Sequence, residues 1–221
     1  MMNNLFLIFD PSTYIKLSLN WISSLLIMML LPMMFWIIPS RIYIMMWLLM
    51  NKLMEETKEI IKNNNMKLMF ITIFLFIMLN NFMGLFPYIF TSTSHISTNL
   101  TFALPIWLSL MIFGWLKNMN HMFIHLIPQG TPLILMPFMV MIETISNIIR
   151  PLTLTVRLTA NMIAGHLLLT LLSSLKNHMN IIMIPSLLFI QIILLMLEMS
   201  VAIIQAYVFM VLISLYMKET N

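Results

Sequence analysis

Long runs of Leu, Ile, Met and Phe, separated by short polar breaks, set the organisation of this chain. Leu17 to Ile38 is a run of 22 residues without a charge; Pro32 predicts a kink in it and Pro39 closes it. Leu68 to Phe90 and Leu100 to Leu116 follow, the latter with Pro105 inside. A fourth block occupies 133–175 and a fifth 181–217. A bilayer span needs about 20 apolar residues. In lipid every backbone N–H and C=O must be satisfied internally, so runs this long are helices. Barrel strands would show shorter, alternating segments. The pattern predicts an all-α polytopic membrane protein, one domain over 1–221, with spans at approximately 17–38, 68–90, 100–116, 133–175 and 181–217.

The last block is too long for an upright span. Its 37 residues contain Glu198 as their only charge. A continuous helix of that length extends roughly 55 Å, against a hydrocarbon core of about 30 Å. Ordinary tilts of up to about 40° do not absorb the difference. The last two blocks are therefore expected to form a long, steeply inclined helical hairpin, turning at Asn177-His178-Met179-Asn180.

The breaks carry the topology. Residues 1–16 read as a short interfacial lead-in, with Asp10-Pro11-Ser12-Thr13 as a helix-start signal. From Ser40 to Lys67 an apolar, aromatic front half precedes a back half with Lys52, Glu55, Glu56, Lys58, Glu59, Lys62 and Lys67. This predicts an amphipathic helix over about 41–62 lying in the interface; a solvated loop is the competing reading, because Asn63-Asn64-Asn65 breaks the pattern. Thr91 to Asn99 is an uncharged polar loop, and Lys117 to Gly130 is a second loop. Arg41, Lys52, Lys58, Lys62, Lys67 and Lys117 place their segments on the inner side, with the C-terminus. The N-terminus, 91–99 and 176–180 then face outside. No cleavable signal peptide is expected, because the first run begins near Leu17, is long enough to span, and lacks a small-residue cleavage site.

Composition narrows the chemistry. With 61% hydrophobic and 8% charged residues, the chain is no soluble domain. The absence of cysteine excludes disulfides and thiolate metal sites. The net charge of +4 reports topology and gives no reason to expect nucleic acid. The 27 methionines read as soft apolar filler. His121 and His125, four apart, could share a metal, but no third ligand is near, and interfacial histidines in a loop explain them better. No nucleotide loop, catalytic triad or metal cluster is present, so no catalytic site, cofactor or metal is expected.

One stretch breaks the apolar rule: Arg150-Pro-Leu-Thr-Leu-Thr-Val-Arg157-Leu-Thr-Ala-Asn161-Met-Ile-Ala-Gly165-His166. A charge at the bilayer centre costs about 2.5–3.5 kcal/mol on insertion scales, so Arg157 needs a partner. On its own helix Glu143 lies roughly 21 Å away and His166 roughly 14 Å. The carboxylate that meets Arg157 is therefore expected on another subunit. A snorkelling arginine or a static salt bridge would be the bland explanations. Neither accounts for Arg150, Thr153, Thr155, Thr159, Asn161 and His166 recurring on the segment, nor for Glu143, Arg150 and Arg157 sharing one face at intervals of seven.

By side, Glu143 falls in the inner half, Arg157 near the middle and His166 in the outer half. Glu198 falls in the outer half with His166, and Gln205 near the level of Arg157, where it could orient the guanidinium. A carboxylate and a histidine near one another can relay protons near neutral pH. An arginine does not deprotonate, so it acts as a fixed positive plug. Two offset proton paths separated by a cation require a moving partner. A static polar contact between helices remains the plainer reading of Glu198 and Gln205 taken singly.

These residues carry a resemblance. Arg157-Leu-Thr-Ala-Asn161-Met-Ile-Ala-Gly165-His166 and Leu197-Glu198-Met-Ser-Val-Ala-Ile-Ile-Gln205-Ala-Tyr207-Val-Phe, with the opening Asn-Leu-Phe-Leu-Ile-Phe-Asp10-Pro11-Ser12-Thr13 and Ile142-Glu143-Thr-Ile-Ser, resemble the subunit a family of F-type ATP synthases in its mitochondrially encoded form. The resemblance covers essentially the whole chain and shows no departure at the motif positions. It implies that Arg157 faces a rotating ring of c subunits and meets each ring carboxylate in turn, with Gln205 and Asn161 as polar neighbours. It implies that His166 and Glu198 line a half-channel from the intermembrane space, and Glu143 one to the matrix. In bacterial relatives the acid and histidine of the outer pair are exchanged between the two helices. The implied partners are the c ring, other Fo and peripheral-stalk subunits, protons and the lipid bilayer. The implied location is the mitochondrial inner membrane, N-terminus towards the intermembrane space and C-terminus towards the matrix. A proton-coupled secondary transporter would show an internal repeat, and none is found. A haem-binding redox subunit needs axial histidines within spans, and only His166 qualifies.

Overall fold

The computed structural model describes residues 5–13, 17–25, 29, 31–32, 37–60, 64–127, 132–176 and 183–220. Among the described residues six α-helices follow in order: α1 Arg41–Ile60, α2 Asn64–Gly84, α3 Ile96–Lys117, α4 Met119–Leu126, α5 Met136–Leu175 and α6 Ile184–Thr220. Short 3-10 helices stand at Leu5–Phe9, Leu19–Leu25, Ser92–Ser94 and Leu133–Leu135. No strand occurs among the described residues. Among the described residues four stretches are long and apolar enough to cross a membrane, Met66–Gly84, Ile96–Lys117, Met136–Leu175 and Ile184–Lys218. The chain is an all-α polytopic membrane protein. The first expected span, 17–38, falls partly outside the described residues, and its Leu19–Leu25 portion is a 3-10 helix.

Each long helix buries one narrow stripe. On α5 the buried residues are Pro151, Leu154, Thr155, Leu158, Thr159 and Met162, spaced by three and four. On α6 they include Ala202, Ala206, Phe209 and Ile213, and on α2 Phe70, Ile71, Phe74 and Ile77. α2 and α6 share the most extensive contact, and α5 packs on α3 and on α6. Lipid tails are as apolar as leucine, so close packing must hold such helices together, and small residues permit it. Ala206 and Ser214 are fully enclosed for this reason, while Phe138, Met141, Ile145 and Ile148 point away from the bundle. Pro105 and Pro151 lie inside α3 and α5 without ending them.

Where 41–62 offered a helix or a solvated loop, the chain forms α1. Leu53 and Thr57 are buried, α1 packs on α2 and α6, and Lys52, Glu55, Glu56 and Lys58 stay exposed. The Tyr207 hydroxyl on α6 donates to Glu56 Oε2 at 3.1 Å and ties the two helices.

Three boundaries differ from the apolar pattern. α2 stops at Gly84, ahead of Phe90, and the chain turns through Pro87 and Tyr88, whose φ is 70°. A Cβ on Gly84 would sit 2.9 Å from Thr91 Cγ2, so the return of the chain against the helix end requires glycine there. The 91–99 loop is short, because α3 already begins at Ile96. The 117–130 loop contains α4.

Ala206→Leu is expected to cost about 1–3 kcal/mol by overpacking the α2–α6 seam. A lowered thermal midpoint of the detergent-solubilised complex would register it, while the same change at a bundle-outward position such as Ser200 should leave the midpoint unmoved.

Candidate functional site

The site is the seam between α5 and α6, and three contacts fix its register. Gly165 faces Glu198, Arg157 faces Gln205, and Arg150 faces Tyr216. As α5 is followed backwards α6 runs forwards, so the helices are antiparallel.

At the first contact the Glu198 side chain lies directly against the Gly165 backbone. A Cβ at Gly165 would lie 2.8 Å from both Cδ and Oε1 of Glu198. The missing side chain is therefore what admits the carboxylate between the helices. Glu198 is 9% exposed, and neither carboxylate oxygen has a hydrogen-bond partner among the described residues. The group borders a cavity of about 220 Å³ shared with Asn161, Gly165, His166 and Val201. An unpartnered buried polar group of this kind is expensive unless water or a proton serves it.

His166 borders a second, larger cavity as well, of about 1090 Å³, with Asp10, Ser12, Asn20, Thr170, Ser173 and Gln191 on its walls. Its Nε2 is buried and unpartnered. At the rim, the Ser12 N–H donates to Asp10 Oδ1 at 3.0 Å and holds that carboxyl below its ordinary value. Glu198, His166 and Asn161, singled out in the sequence, thus converge on one cavity.

Arg157 stands apart. It lies on the exposed face of α5, away from the buried stripe. Among the described residues no carboxylate is within ion-pair distance of its guanidinium. Gln205 does not meet the guanidinium: being buried between the helices, its Nε2 donates to the Arg157 backbone carbonyl at 3.4 Å. Glu143 lies two turns from Arg150, and Arg150 Nη2 reaches its Oε1 at 3.7 Å while the guanidinium carbon sits 5.0 Å from the Tyr216 ring centroid. The threonines of the stripe are quieter than expected. Thr153, Thr155 and Thr159 donate their hydroxyls to carbonyls of their own helix. Among the described residues no group of three or more His, Cys, Asp or Glu is placed to hold a metal.

A family model described as ATP synthase A chain matches residues 17–218. The chain belongs to that family. It is 55% identical to ATP synthase subunit a of Drosophila melanogaster over 224 residues, covering all of both chains. It is 56% identical to ATP synthase subunit a of Anopheles quadrimaculatus over 226 residues, again covering all of both, and 56% identical to that of Locusta migratoria over 224 residues, covering 99% of each. As an ATP synthase A chain it is a proton-translocating membrane subunit of the Fo sector, and it carries no catalytic site for ATP chemistry.

The A chain also contains polar residues near this seam that a search for charges passes over. Asn80, Asn81, Ser92, Thr93 and Asn99 are buried together. Ser92 Oγ donates to Asn80 Oδ1 at 3.3 Å and Asn99 Nδ2 to the Thr93 carbonyl at 2.8 Å. Asn80 Nδ2, both Asn81 amide atoms and Thr93 Oγ1 have no partner. Two adjacent asparagines inside the apolar run 68–90 were the available signal.

Gly165→Ala is expected to push the Glu198 carboxylate out of its cavity and to cut ATP-driven proton pumping by about tenfold, the equivalent of ~1.4 kcal/mol of misfit. Ser174→Ala, exposed near the end of the same helix and on neither cavity wall, should leave pumping near wild type.

Proposed function

We propose that this A chain provides two offset proton half-channels that load and unload carboxylates on the c ring, with Arg157 separating them. The observation that carries the reading is that His166 borders both the large outer cavity and the small cavity of Glu198, and that the small cavity ends at Asn161, one turn short of an exposed, unpaired Arg157. A proton from the outer side would pass from the large cavity to His166, then to Glu198, and then to a ring carboxylate arriving beside Asn161. Histidine and carboxylate suit such a relay because each side chain can take up and release a proton.

Arg157 cannot join the relay, since guanidinium keeps its proton in proteins. Its fixed charge forces an approaching carboxylate to ionise and blocks a direct leak. Gln205 holds the Arg157 backbone from the neighbouring helix, so its role is to fix the helix that presents the cation. Glu143, paired with Arg150, belongs to the inner half-channel on this reading. The relay runs in the mitochondrial inner membrane, with the N-terminus and the large cavity towards the intermembrane space and Glu143 and the C-terminus towards the matrix. The high identity to insect subunit a chains, the motif positions and the cavity arrangement support these assignments.

Arg157→Ala is expected to abolish proton-driven ATP synthesis in reconstituted vesicles while the subunit still co-purifies with the c ring. Coupled synthesis surviving in that variant would remove the assigned role. Glu198→Gln is expected to slow proton uptake from the intermembrane-space side by about 10²-fold or more, the usual contribution of a positioned acid–base group, leaving exchange with the matrix side unaltered. Pulsed acidification of one compartment at a time distinguishes the two, and equal slowing from both sides would sink the sidedness.

A further inference from the structure

The N-terminal segment walls the large cavity, and one of its side chains also touches His166. Leu5–Phe9 forms a 3-10 helix whose Phe6, Leu7 and Ile8 are 67%, 55% and 47% exposed. Phe9 alone among these four turns partly inward. Its ring meets the His166 imidazole edge to face, with centroids 6.3 Å apart and planes at 85°. Leu7, Ile8 and Asp10 line the outer cavity on either side of this contact.

The placement is anchored. Directly after Phe9, Ser12 N–H donates to the Asp10 carboxylate, and Asn20 Nδ2 donates to the Asp10 backbone carbonyl at 3.3 Å. Ser23 Oγ in turn donates to the Phe90 carbonyl at 2.9 Å and fastens the second 3-10 helix to the turn after α2. The segment is thus pinned across the cavity mouth.

His166 needs something to hold it. Its Nε2 is buried without a hydrogen-bond partner among the described residues. An imidazole is normally oriented by the hydrogen bond of one ring nitrogen, and at His166 the neighbouring ring is that of Phe9. We infer that Phe9 is a positioning residue for His166: its ring holds the imidazole at the junction of the two cavities, so that the histidine is presented to the outer cavity on one side and to Glu198 on the other. Of the titratable groups, Glu198 from α6 shares the small cavity with His166, while Asp10 from the N-terminal segment and Tyr88 from the turn after α2 stand on the walls of the large one. None of them provides the ring contact.

This inference rests on the proposed relay through His166, so the test pairs two positions. ATP synthase carrying Phe9→Ala, Phe9→Leu, Phe9→Tyr or His166→Gln is reconstituted into vesicles with the outer cavity facing the lumen. Synthesis is measured against luminal pH at fixed external pH, and then the reverse. Phe9→Ala and Phe9→Leu are expected to lower the rate about three- to tenfold, the range an edge-to-face aromatic contact is worth. They should also shift its luminal-pH profile and leave the external-pH profile in place, while Phe9→Tyr restores both. If Phe9→Ala does not assemble, Phe9→Leu, which keeps the bulk without the aromatic ring, decides. A wild-type luminal profile in Phe9→Leu, or equal changes in both profiles, overturns the inference even when His166→Gln is slowed. A wild-type luminal profile in His166→Gln overturns the relay itself and this positioning role with it.

Discussion

The site depends on the room that Gly165 on α5 leaves for the Glu198 side chain of α6. A carboxylate is wide and the space between two packed helices is narrow. With any Cβ at position 165 the two would overlap, at 2.8 Å from Cδ and Oε1. Removing that side chain lets a polar group occupy an apolar seam without spreading the helices. The same approach then fixes the register along the pair, down to Gln205 at the Arg157 carbonyl and Tyr216 beneath Arg150. Helices in lipid gain little from burying more apolar surface, so fit between small residues decides where they sit.

The polar groups divide into those that are satisfied and those that are not. The threonines around Arg157 return their hydroxyls to their own helix, and Glu143 has Arg150. Glu198, His166, Asn81 and Thr93 retain buried atoms without partners. Leaving such atoms bare costs about 1–3 kcal/mol apiece, so they mark where water must stand. They cluster at the end of the bundle where the N-terminal segment and the 91–94 turn meet α5, which is the end assigned to proton uptake. Arg157 is of neither kind, being charged, exposed and turned outward.

Much of this was legible in the residues. Run lengths gave the all-α membrane class, and the excess length of 181–217 foretold a helix that continues from Ile184 to Thr220. The spacing of Glu143, Arg150 and Arg157 put them on one face, and the structure adds that two of them pair. Three features were not legible. Gly165 reads only as a small residue until the opposing Glu198 is in place, because a close approach is a property of two helices. Gln205 sits at the depth expected of it, but whether its amide finds a guanidinium or a carbonyl depends on which way it is rotated about α6. Asn80 and Asn81 carry no charge and barely disturb an apolar run, so a reading guided by charge steps over them. The end of α2 at Gly84 was hidden for a similar reason: apolar residues continue to Phe90, and only the fold-back against Thr91 stops the helix.

The outward-facing guanidinium bears on biogenesis. Until another protein covers that face, the newly inserted chain must leave Arg157 among acyl chains or drag headgroups and water inwards to reach it. An orphan A chain is thus a poor guest in the bilayer, whatever the quality of its own packing. A partner covering that face would relieve the penalty, which couples the stability of the lone subunit to its assembly.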